Sequence, residues 1–340
     1  MKLLVLGGGV FLGAAFVDAA RAAGHAVTVF NRGRARSRWP ADVECLVGDR
    51  QQHLGALQGR RFDAVVDTCG YLPGDVRRSA EALSDAAGQY LFVSSVSAYA
   101  SLARPGEDEH APLAAFDGVA PDDRSVAHYG AQKAACEAAL RAVWSERALV
   151  VRPGLIVGPG DPTGRFSHWP WRAAAGGAML VPEAPSPLQM IDVRDLAAWM
   201  VTLLGDGARG DFNATGPDDG PLTWPQMIDV CVAAAAQAGH APVMPVAVGE
   251  AFLQAEGVRL WTELPLWIPA SEADSQGFLA VSIARALAAG LRTRPLHQTA
   301  ADILAEPMPA PDDPRRDGKL TPQREQELLA RWAKLAPPPP

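Results

Sequence analysis

The stretch "HYGAQKAACEAAL" places Tyr129 and Lys133 four residues apart. In a helix this spacing brings both side chains onto the same face. A nearby ammonium group lowers the pKa of a phenol, so such a tyrosine can give or take a proton while hydride moves to or from a carbonyl carbon. The pair therefore indicates acid–base chemistry on a carbonyl or an alcohol.

Serine hydroxyls precede this pair at the end of a predicted strand, "YLFVSSVSAYA". Ser94, Ser95 and Ser97 could each donate a hydrogen bond to a carbonyl oxygen. A purely structural alternative stays open, in which Ser95 only caps the strand end and Tyr129 is a packed aromatic residue.

The N-terminal stretch "MKLLVLGGGVFLGAAF" could be a secretory signal or a buried strand that runs into a glycine turn. The next residues favour the second interpretation, because Gly24 and His25 form a turn signal before a β-branched run at 26–30. We therefore predict a strand at 3–6, a helix at 11–23 and a strand at 26–30. The protein would then keep this segment and be cytoplasmic.

Further apolar runs predict strands at 43–47, 64–67, 90–94 and 149–152, and helices at 74–87 and 128–145. This alternation predicts an α/β protein with a Rossmann-type doubly wound parallel sheet. Residues 1–160 would form the nucleotide-binding domain, rejoined by about 188–205. Residues 161–335 would form mainly a smaller C-terminal substrate lobe, followed by an unpacked proline tail at 336–340.

The composition limits the classes of partner. The chain has 340 residues, of which 48% are hydrophobic, and its formal net charge is −7. Acidic residues spread along such a chain give no field that would attract nucleic acid or anionic lipid, so we expect a small-molecule partner and no membrane. Its four cysteines are far apart and lack metal-ligand spacing, so we predict reduced core residues and no metal site.

The glycine turn after the first strand predicts a nucleotide cofactor, because glycines let the backbone approach a pyrophosphate at a helix N-terminus. Gly7, Gly9 and Gly13 supply this turn. At the end of the second strand, an acid favours NAD and an arginine accommodates the extra phosphate of NADP. Asn31 and Arg32 lie there, followed by Arg34, Arg36 and Arg38, so we expect NADP, with NAD possible; a solvated basic loop is the alternative.

Together these motifs resemble those of extended short-chain dehydrogenases/reductases of the NAD(P)-dependent epimerase/dehydratase type, in their reductase-like bacterial branch. The similarity covers nearly the whole chain, through "LGGGVFLG", "VTVFNRG", "GDR" at 48–50, "FDAVVDTCGY", "FVSSVSAY", "YGAQK", "VVRPGLIVGPGD", "IDVRDLA", "FNATGP" and "ALAAGLRTRP". The resemblance implies that Ser95, Tyr129 and Lys133 are the catalytic residues.

The resemblance also implies contacts with the cofactor. Phe11 and Leu12 would approach the pyrophosphate, Asp49 and Arg50 would lie beside the adenine, Thr68 and Cys69 would form a loop over the cofactor, and Pro153 and Ile156 would lie under the nicotinamide. The predicted cofactor-binding set is Gly7, Gly9, Phe11, Leu12, Gly13, Asn31, Arg32, Asp49, Arg50, Thr68, Cys69, Ser94, Tyr129, Lys133, Pro153 and Ile156.

Two departures from the family pattern bear on the activity. The family's glycine turn usually has glycine at the position of Val10. Its dehydratases carry an Asp–Glu pair after the catalytic hydroxyl, where this chain has Val96 and Ser97, so we do not expect elimination of water.

We therefore predict an NAD(P)-dependent oxidoreductase with Tyr129 as general acid and base. A nucleotide-sugar epimerase with tightly held NAD is one alternative, and a non-catalytic cofactor-sensing or RNA-associated protein is another. Substrate contacts from the second lobe are expected among Arg165, His168, Trp169, Trp171 and Arg172, which could equally be packing residues. By analogy with relatives, the protein could be a homodimer.

Overall fold

A computed structural model describes residues 1–33, 39–310 and 312–335 of the chain. The predictions for Arg34, Arg36, Arg38 and the proline tail at 336–340 lie outside these residues.

Seven parallel strands form the central sheet. The strands of the protein are β1 (Lys2–Leu6), β2 (Ala26–Asn31), β3 (Glu44–Val47), β4 (Phe62–Asp67), β5 (Ala87–Val93), β6 (Ala148–Pro153), β7 (Leu155–Val157), β8 (Gly177–Pro182), β9 (Met190–Asp192), β10 (Gly210–Ala214) and β11 (Val243–Val248). The sheet order is β10-β6-β5-β4-β1-β2-β3, with β1 between β2 and β4. This order, which reverses at β1, confirms the predicted doubly wound α/β fold.

Helices cover both faces of this sheet. The helices are α1 (Phe11–Ala22), α2 (Pro73–Leu83), α3 (Tyr129–Trp144), α4 (His168–Ala174), α5 (Val193–Gly205), α6 (Trp224–Gln237), α7 (Glu250–Ala255), α8 (Ala284–Ala288), α9 (Leu296–Ala305) and α10 (Pro322–Leu335). Helices α1 and α5 pack together on one face, and α2 and α3 pack together on the other. The sheet is therefore buried on both sides, which explains why β1 is continuously apolar.

The alternation of side chains along β1 builds two separate cores. Leu3 and Val5 pack in the cluster that contains α1 and α5, whereas Leu4 and Leu6 pack in the cluster that contains α2 and α3. All four side chains are at most 1% exposed.

A further core forms around three buried tryptophans, Trp169, Trp224 and Trp267. It is enclosed by α4, α6, α9 and α10 and by the two-stranded pairs β8–β11 and β7–β9. Pro322 begins α10, and Thr321 Oγ1 accepts a hydrogen bond from the backbone N–H of Arg324 at 3.2 Å.

The predicted helix at 74–87 is wrong at its end, because α2 stops at Leu83 and β5 already begins at Ala87. The backbone N–H of Phe62 donates to the carbonyl of Ala86 at 2.8 Å, so residues whose composition favours a helix instead pair with β4.

Among the described residues, no helix has the length and apolar character required to cross a membrane. Cys136 and Cys231 are buried, whereas Cys45 and Cys69 are only half-buried.

Candidate active site

The turn between β1 and α1 packs so closely against neighbouring residues that side chains would not fit at two of its glycines. Gly7 has φ +104°, and a Cβ there would lie 2.7 Å from Thr68 Oγ1. A Cβ on Gly13 would lie 2.8 Å from the same oxygen and 2.9 Å from the backbone nitrogen of Gly8. Gly9 belongs to the same turn. The glycines thus keep this turn close to the end of β4.

The sequence at the N-terminus of α1 provides no side chain that caps the helix. Val10 precedes the helix in an extended conformation, with no side-chain cap, and the first turn contains no acidic residue. Since φ of Val10 is −139°, this position needs no glycine; Phe11 instead has φ +41°. The positive end of the helix, at Phe11 and Leu12, is therefore available to an anion.

Replacing Gly13 by alanine is expected to distort this turn. The added methyl group meets backbone atoms of Gly8 that cannot rotate away, and such overpacking costs about 1–3 kcal/mol. We expect Gly13→Ala to lower both the free energy of unfolding and the affinity for a dinucleotide, as measured by denaturant titration and nicotinamide fluorescence. Gly74→Ala is the matched control, because a Cβ on exposed Gly74 meets no atom within 4 Å. Equal behaviour of the two variants would contradict the assignment.

The end of β2 holds the glycine turn in place. Asn31 Nδ2 donates to the carbonyl of Gly7 at 3.1 Å, and Asn31 Oδ1 accepts from the N–H of Gly33 at 2.8 Å. The Asn31 side chain is thus used within the protein, whereas the neighbouring Arg32 is exposed. Of the two, Arg32 is the residue whose side chain is exposed to a ligand.

The residues after β3 divide between two roles. Asp49 is half-buried, and its carboxylate accepts from the N–H of Gln51 at 2.9 Å. Arg50 is 9% exposed and forms a bidentate ion pair with Asp67 at 2.7 and 2.8 Å. The Arg50 side chain therefore lies inside the protein, and within the described residues its buried Nε has no hydrogen-bond partner.

Thr68 and Cys69 follow β4 at the same edge of the sheet. Thr68 Oγ1 donates to the carbonyl of Leu6 at 3.1 Å, which ties this loop to β1. The Cys69 thiol is half-buried, and burial with the charge of Asp67 raises its pKa to about 11. At neutral pH Cys69 is a thiol that packs against the turn, since Gly7 lies beside it.

Tyr129 begins α3 and lies beside Ser95, which follows β5. Burial raises the pKa of the Tyr129 phenol, whereas a hydrogen bond with the Ser95 side chain and the charge of Arg165 lower it. Ser95 Oγ also accepts from the N–H of Ser97 at 3.1 Å, which fixes its position. The structure therefore brings together the predicted tyrosine and serine.

Lys133 lies one turn further along α3 and is 3% exposed. Its Nζ donates to the carbonyls of Gly70 and Val93 at 2.9 and 2.6 Å and lies 5.3 Å from the ring centroid of Tyr71. Burial lowers the pKa of Lys133, and its charge acts on the Tyr71 phenol. The Arg165 guanidinium is a further cation that lowers the pKa of Tyr129, and spacing along α3 could not reveal it.

Ser94 has a different role from Ser95. Its hydroxyl donates to the fully buried carboxylate of Glu137 at 2.6 Å, and Arg152 contacts the same carboxylate at 2.7 and 2.9 Å. Glu137 lies on α3 and Arg152 on β6, so this network fixes α3 against the sheet. Pro153 ends β6 and is buried, and Ile156 lies in β7, half-buried.

Of the five candidate substrate residues at 165–172, one acts on Tyr129. Trp169 and Trp171 are core residues, at 0% and 6% exposure. Arg172 pairs with Glu325 on α10 at 2.6 Å. Burial lowers the pKa of His168 to about 3, which leaves it neutral. Only Arg165, of these five, acts on the Tyr129 phenol.

A family model described as the NAD dependent epimerase/dehydratase family matches residues 3–214. A search of curated protein sequences finds no significant match.

Solved structures share the fold. A putative epimerase from Burkholderia cenocepacia J2315 is 20% identical, with 89% of this chain and 97% of that chain covered and a TM-score of 0.66. The Bordetella bronchiseptica enzyme WbmG in complex with NAD and UDP is 19% identical, with 90% and 94% covered and a TM-score of 0.64. The human epimerase family protein SDR39U1 with NADPH is 20% identical, with 90% and 100% covered and a TM-score of 0.58.

Proposed function

The chain belongs to the NAD dependent epimerase/dehydratase family, and from that premise we propose that it is an oxidoreductase for a small molecule. It would transfer hydride between a nicotinamide cofactor and a carbonyl or alcohol carbon. The observation that carries the proposal is the position of Tyr129 beside Ser95 at the carboxyl end of β5, two strands from the open glycine turn after β1. In doubly wound sheets, ligands bind at this edge.

The residues at this edge fit a dinucleotide. Glycine at 7 and 13 lets the turn lie against Thr68, where a Cβ would clash. The start of α1 has no side-chain cap, so its N–H groups can bind a pyrophosphate. Lys133 has three donors, of which two are used by Gly70 and Val93, so one is left for a ribose hydroxyl. When bound there, the nicotinamide supplies or accepts the hydride.

Side chains of the protein would transfer the proton and orient the substrate oxygen. Because burial raises the pKa of Tyr129, the phenol is protonated at neutral pH and can act as general acid in reduction. The Arg165 charge and the Ser95 hydroxyl stabilise the phenolate that remains. In the other direction the same phenolate accepts the proton of an alcohol. Ser95 also orients the substrate oxygen.

A nucleotide-sugar epimerase is the second candidate, because epimerases give the matching family its name. WbmG, whose fold this chain shares, was solved with NAD and UDP. An epimerase oxidises and re-reduces one substrate and keeps its cofactor bound. NAD that co-purifies with the protein, and substrate conversion without added cofactor, would favour this candidate over the oxidoreductase.

We expect separate titrations with NADPH and NADH, followed by nicotinamide fluorescence, to show tighter binding of NADPH. The exposed Arg32 side chain follows β2, where it can contact a 2′-phosphate. A hydrogen bond to a charged group is worth about 1.5–3 kcal/mol, so Arg32→Ala should weaken NADPH binding about ten- to a hundredfold and spare NADH.

Arg61→Ala is the control, because Arg61 is exposed at the opposite, amino-terminal end of β4. Equal loss in both variants would remove Arg32 from the cofactor site. Preferred binding of NADH would transfer support to the epimerase, and absence of binding for either nucleotide would support the non-catalytic alternative.

A further inference from the structure

A loop of the second lobe meets the segment before α10 next to the catalytic tyrosine. This loop, "GPGDPTGRF" at 158–166, follows β7. Gly164 has φ +58°, and a Cβ there would lie 2.6 Å from the carbonyl oxygen of Arg315. A Cβ on Gly318 would lie 3.1 Å from Thr262 Cγ2, so Lys319 follows a residue that packs beside Trp261, the ring that Arg165 approaches. The charges of Arg165 and Asp161 act on Lys319 there.

Arg165 is fixed at one end and free at the other. Its Nε donates to Thr163 Oγ1 at 3.1 Å, and this hydroxyl donates to the Asp161 carboxylate at 2.8 Å. The guanidinium carbon lies 5.9 Å from the ring centroid of Trp261. Within 1–33, 39–310 and 312–335, the terminal nitrogens of Arg165 form no hydrogen bond or ion pair, so a planar fork of donors remains for a ligand.

Lys319 is the second cation and is half-buried. In the described part of the chain, its Nζ has no ion-pair partner. Burial and the charge of Arg165 lower its pKa, so the two cations repel each other. Asp161 is the neighbouring carboxylate, but it is 3% exposed and accepts from both the N–H and the hydroxyl of Thr163.

The other cations nearby already have partners. Arg172 pairs with Glu325, Arg315 pairs with Asp313 at 2.7 Å, and Arg316 Nε donates to the carbonyl of Pro309. His168 is neutral. Among the described residues, Arg165, Lys319 and Arg316 have no carboxylate partner. The carboxylates beside this loop are Asp161 and Glu306, whose Oε2 accepts from the N–H of Gly160 at 3.4 Å, so a net positive charge remains in a partly buried region. Such a region is stabilised by a bound anion.

We propose that Arg165 and Lys319 bind an oxyanion of the substrate, a carboxylate or a phosphate group. The assignment rests on the proposed function, because it places this group on the molecule whose carbonyl or alcohol Tyr129 serves. Arg165 is close enough to the Tyr129 phenol for its charge to act on it. We therefore expect a substrate that carries an oxyanion, and a neutral carbonyl compound would be a poor substrate.

Titration with two simple oxyanions, inorganic phosphate and malonate, tests the subsite without turnover. Each is added to the protein, with and without NADPH, at an ionic strength matched by sodium chloride, and the melting temperature gives the Kd. We expect saturable stabilisation of the wild type. Since a bidentate guanidinium–oxyanion contact is a strong charge-assisted interaction, Arg165→Gln and Lys319→Gln should each raise the Kd about tenfold or more.

Arg331→Gln is the charge-matched control, because Arg331 is 57% exposed on α10 and pairs with Glu256. It should bind both oxyanions as the wild type does. Tighter binding of phosphate supports a phosphorylated substrate, and tighter binding of malonate supports a carboxylic acid. No stabilisation beyond that of sodium chloride, or an unchanged Kd in both glutamine variants, overturns the proposal. If neither NADPH nor NADH bound in the nicotinamide titration, the proposed function would be wrong. That outcome is distinct from a failure of the oxyanion titration, which would overturn only the proposed oxyanion site.

Discussion

Replacing Tyr129 by phenylalanine should lower turnover by about 10²- to 10⁴-fold, the usual contribution of a general acid or base. The change removes a single oxygen, which is the proton donor beside Ser95 and near Arg165. The affinity for the nicotinamide cofactor should stay within a factor of about two, because the glycine turn and Lys133 are untouched. The first quantity is measured as kcat with a carbonyl substrate, and the second by fluorescence titration.

Tyr71→Phe is the matched comparison, because a second phenol lies near Lys133. Its ring centroid is 5.3 Å from Lys133 Nζ, and Tyr71 is 50% exposed. We expect this variant to retain the wild-type kcat within a few-fold. If Tyr71→Phe lost turnover and Tyr129→Phe kept it, Tyr71 would be the proton donor and the role given to Tyr129 would be wrong.

Most of the sheet could be predicted because its strands carry local signals. Leu3 to Leu6 and the run at 26–30 are short apolar stretches that end at glycine or asparagine turns, and β1 and β2 lie there. The end of α2 could not be found in this way. No glycine or proline interrupts residues 80–87, so the helix stops at Leu83 only because pairing with β4 competes for the next residues.

The residues of the candidate site that belong to short sequence motifs could be predicted. Tyr129 and Ser95 each carry a motif, and the structure brings them together. Spacing along α3 pairs Tyr129 with Lys133, but it does not reveal Arg165, a residue of the segment after β7 whose charge lowers the pKa of Tyr129. Contacts between distant segments of the chain leave no periodic pattern, so spacing alone does not reveal them.

Arg50, which the resemblance places beside the adenine, also has a structural contact that the sequence does not reveal. Its guanidinium is paired with Asp67 at the end of β4. Asp67 is 0% exposed and also accepts from the Tyr90 hydroxyl at 2.9 Å and the N–H of Cys69 at 3.1 Å. Burial alone would raise the pKa of Asp67, but the Arg50 charge and hydrogen bonds hold it below the ordinary value of 3.8. The pair therefore connects the segment after β3 to the loop that faces the glycine turn.

Arg50→Met should lower the free energy of unfolding by about 3–5 kcal/mol at pH 7, because it leaves a buried carboxylate without its countercharge. Denaturant titration with a circular-dichroism signal measures this loss. Arg60→Met is the control, since Arg60 contacts Glu44 at 2.8 Å with 36% and 48% of the two side chains exposed. An exposed pair of this kind contributes at most about 1 kcal/mol.

The pH dependence distinguishes loss of the ion pair from loss of packing. In the wild type the pKa of Asp67 is lowered on folding, so its stabilisation is present above pH 3.8 and is lost as the pH falls through the folded-state pKa. In Arg50→Met the hydrogen bonds from Tyr90 and Cys69 remain, but the countercharge is gone, so we expect burial to raise the pKa of Asp67 above 3.8 and the variant to lose stability as the pH rises above that value. The difference in stability between the two proteins should therefore be largest near neutral pH and narrow toward pH 4. A difference that stayed constant from pH 7 to pH 4 would mean that Arg50 contributes only its packing, and that Asp67 does not depend on it for its charge.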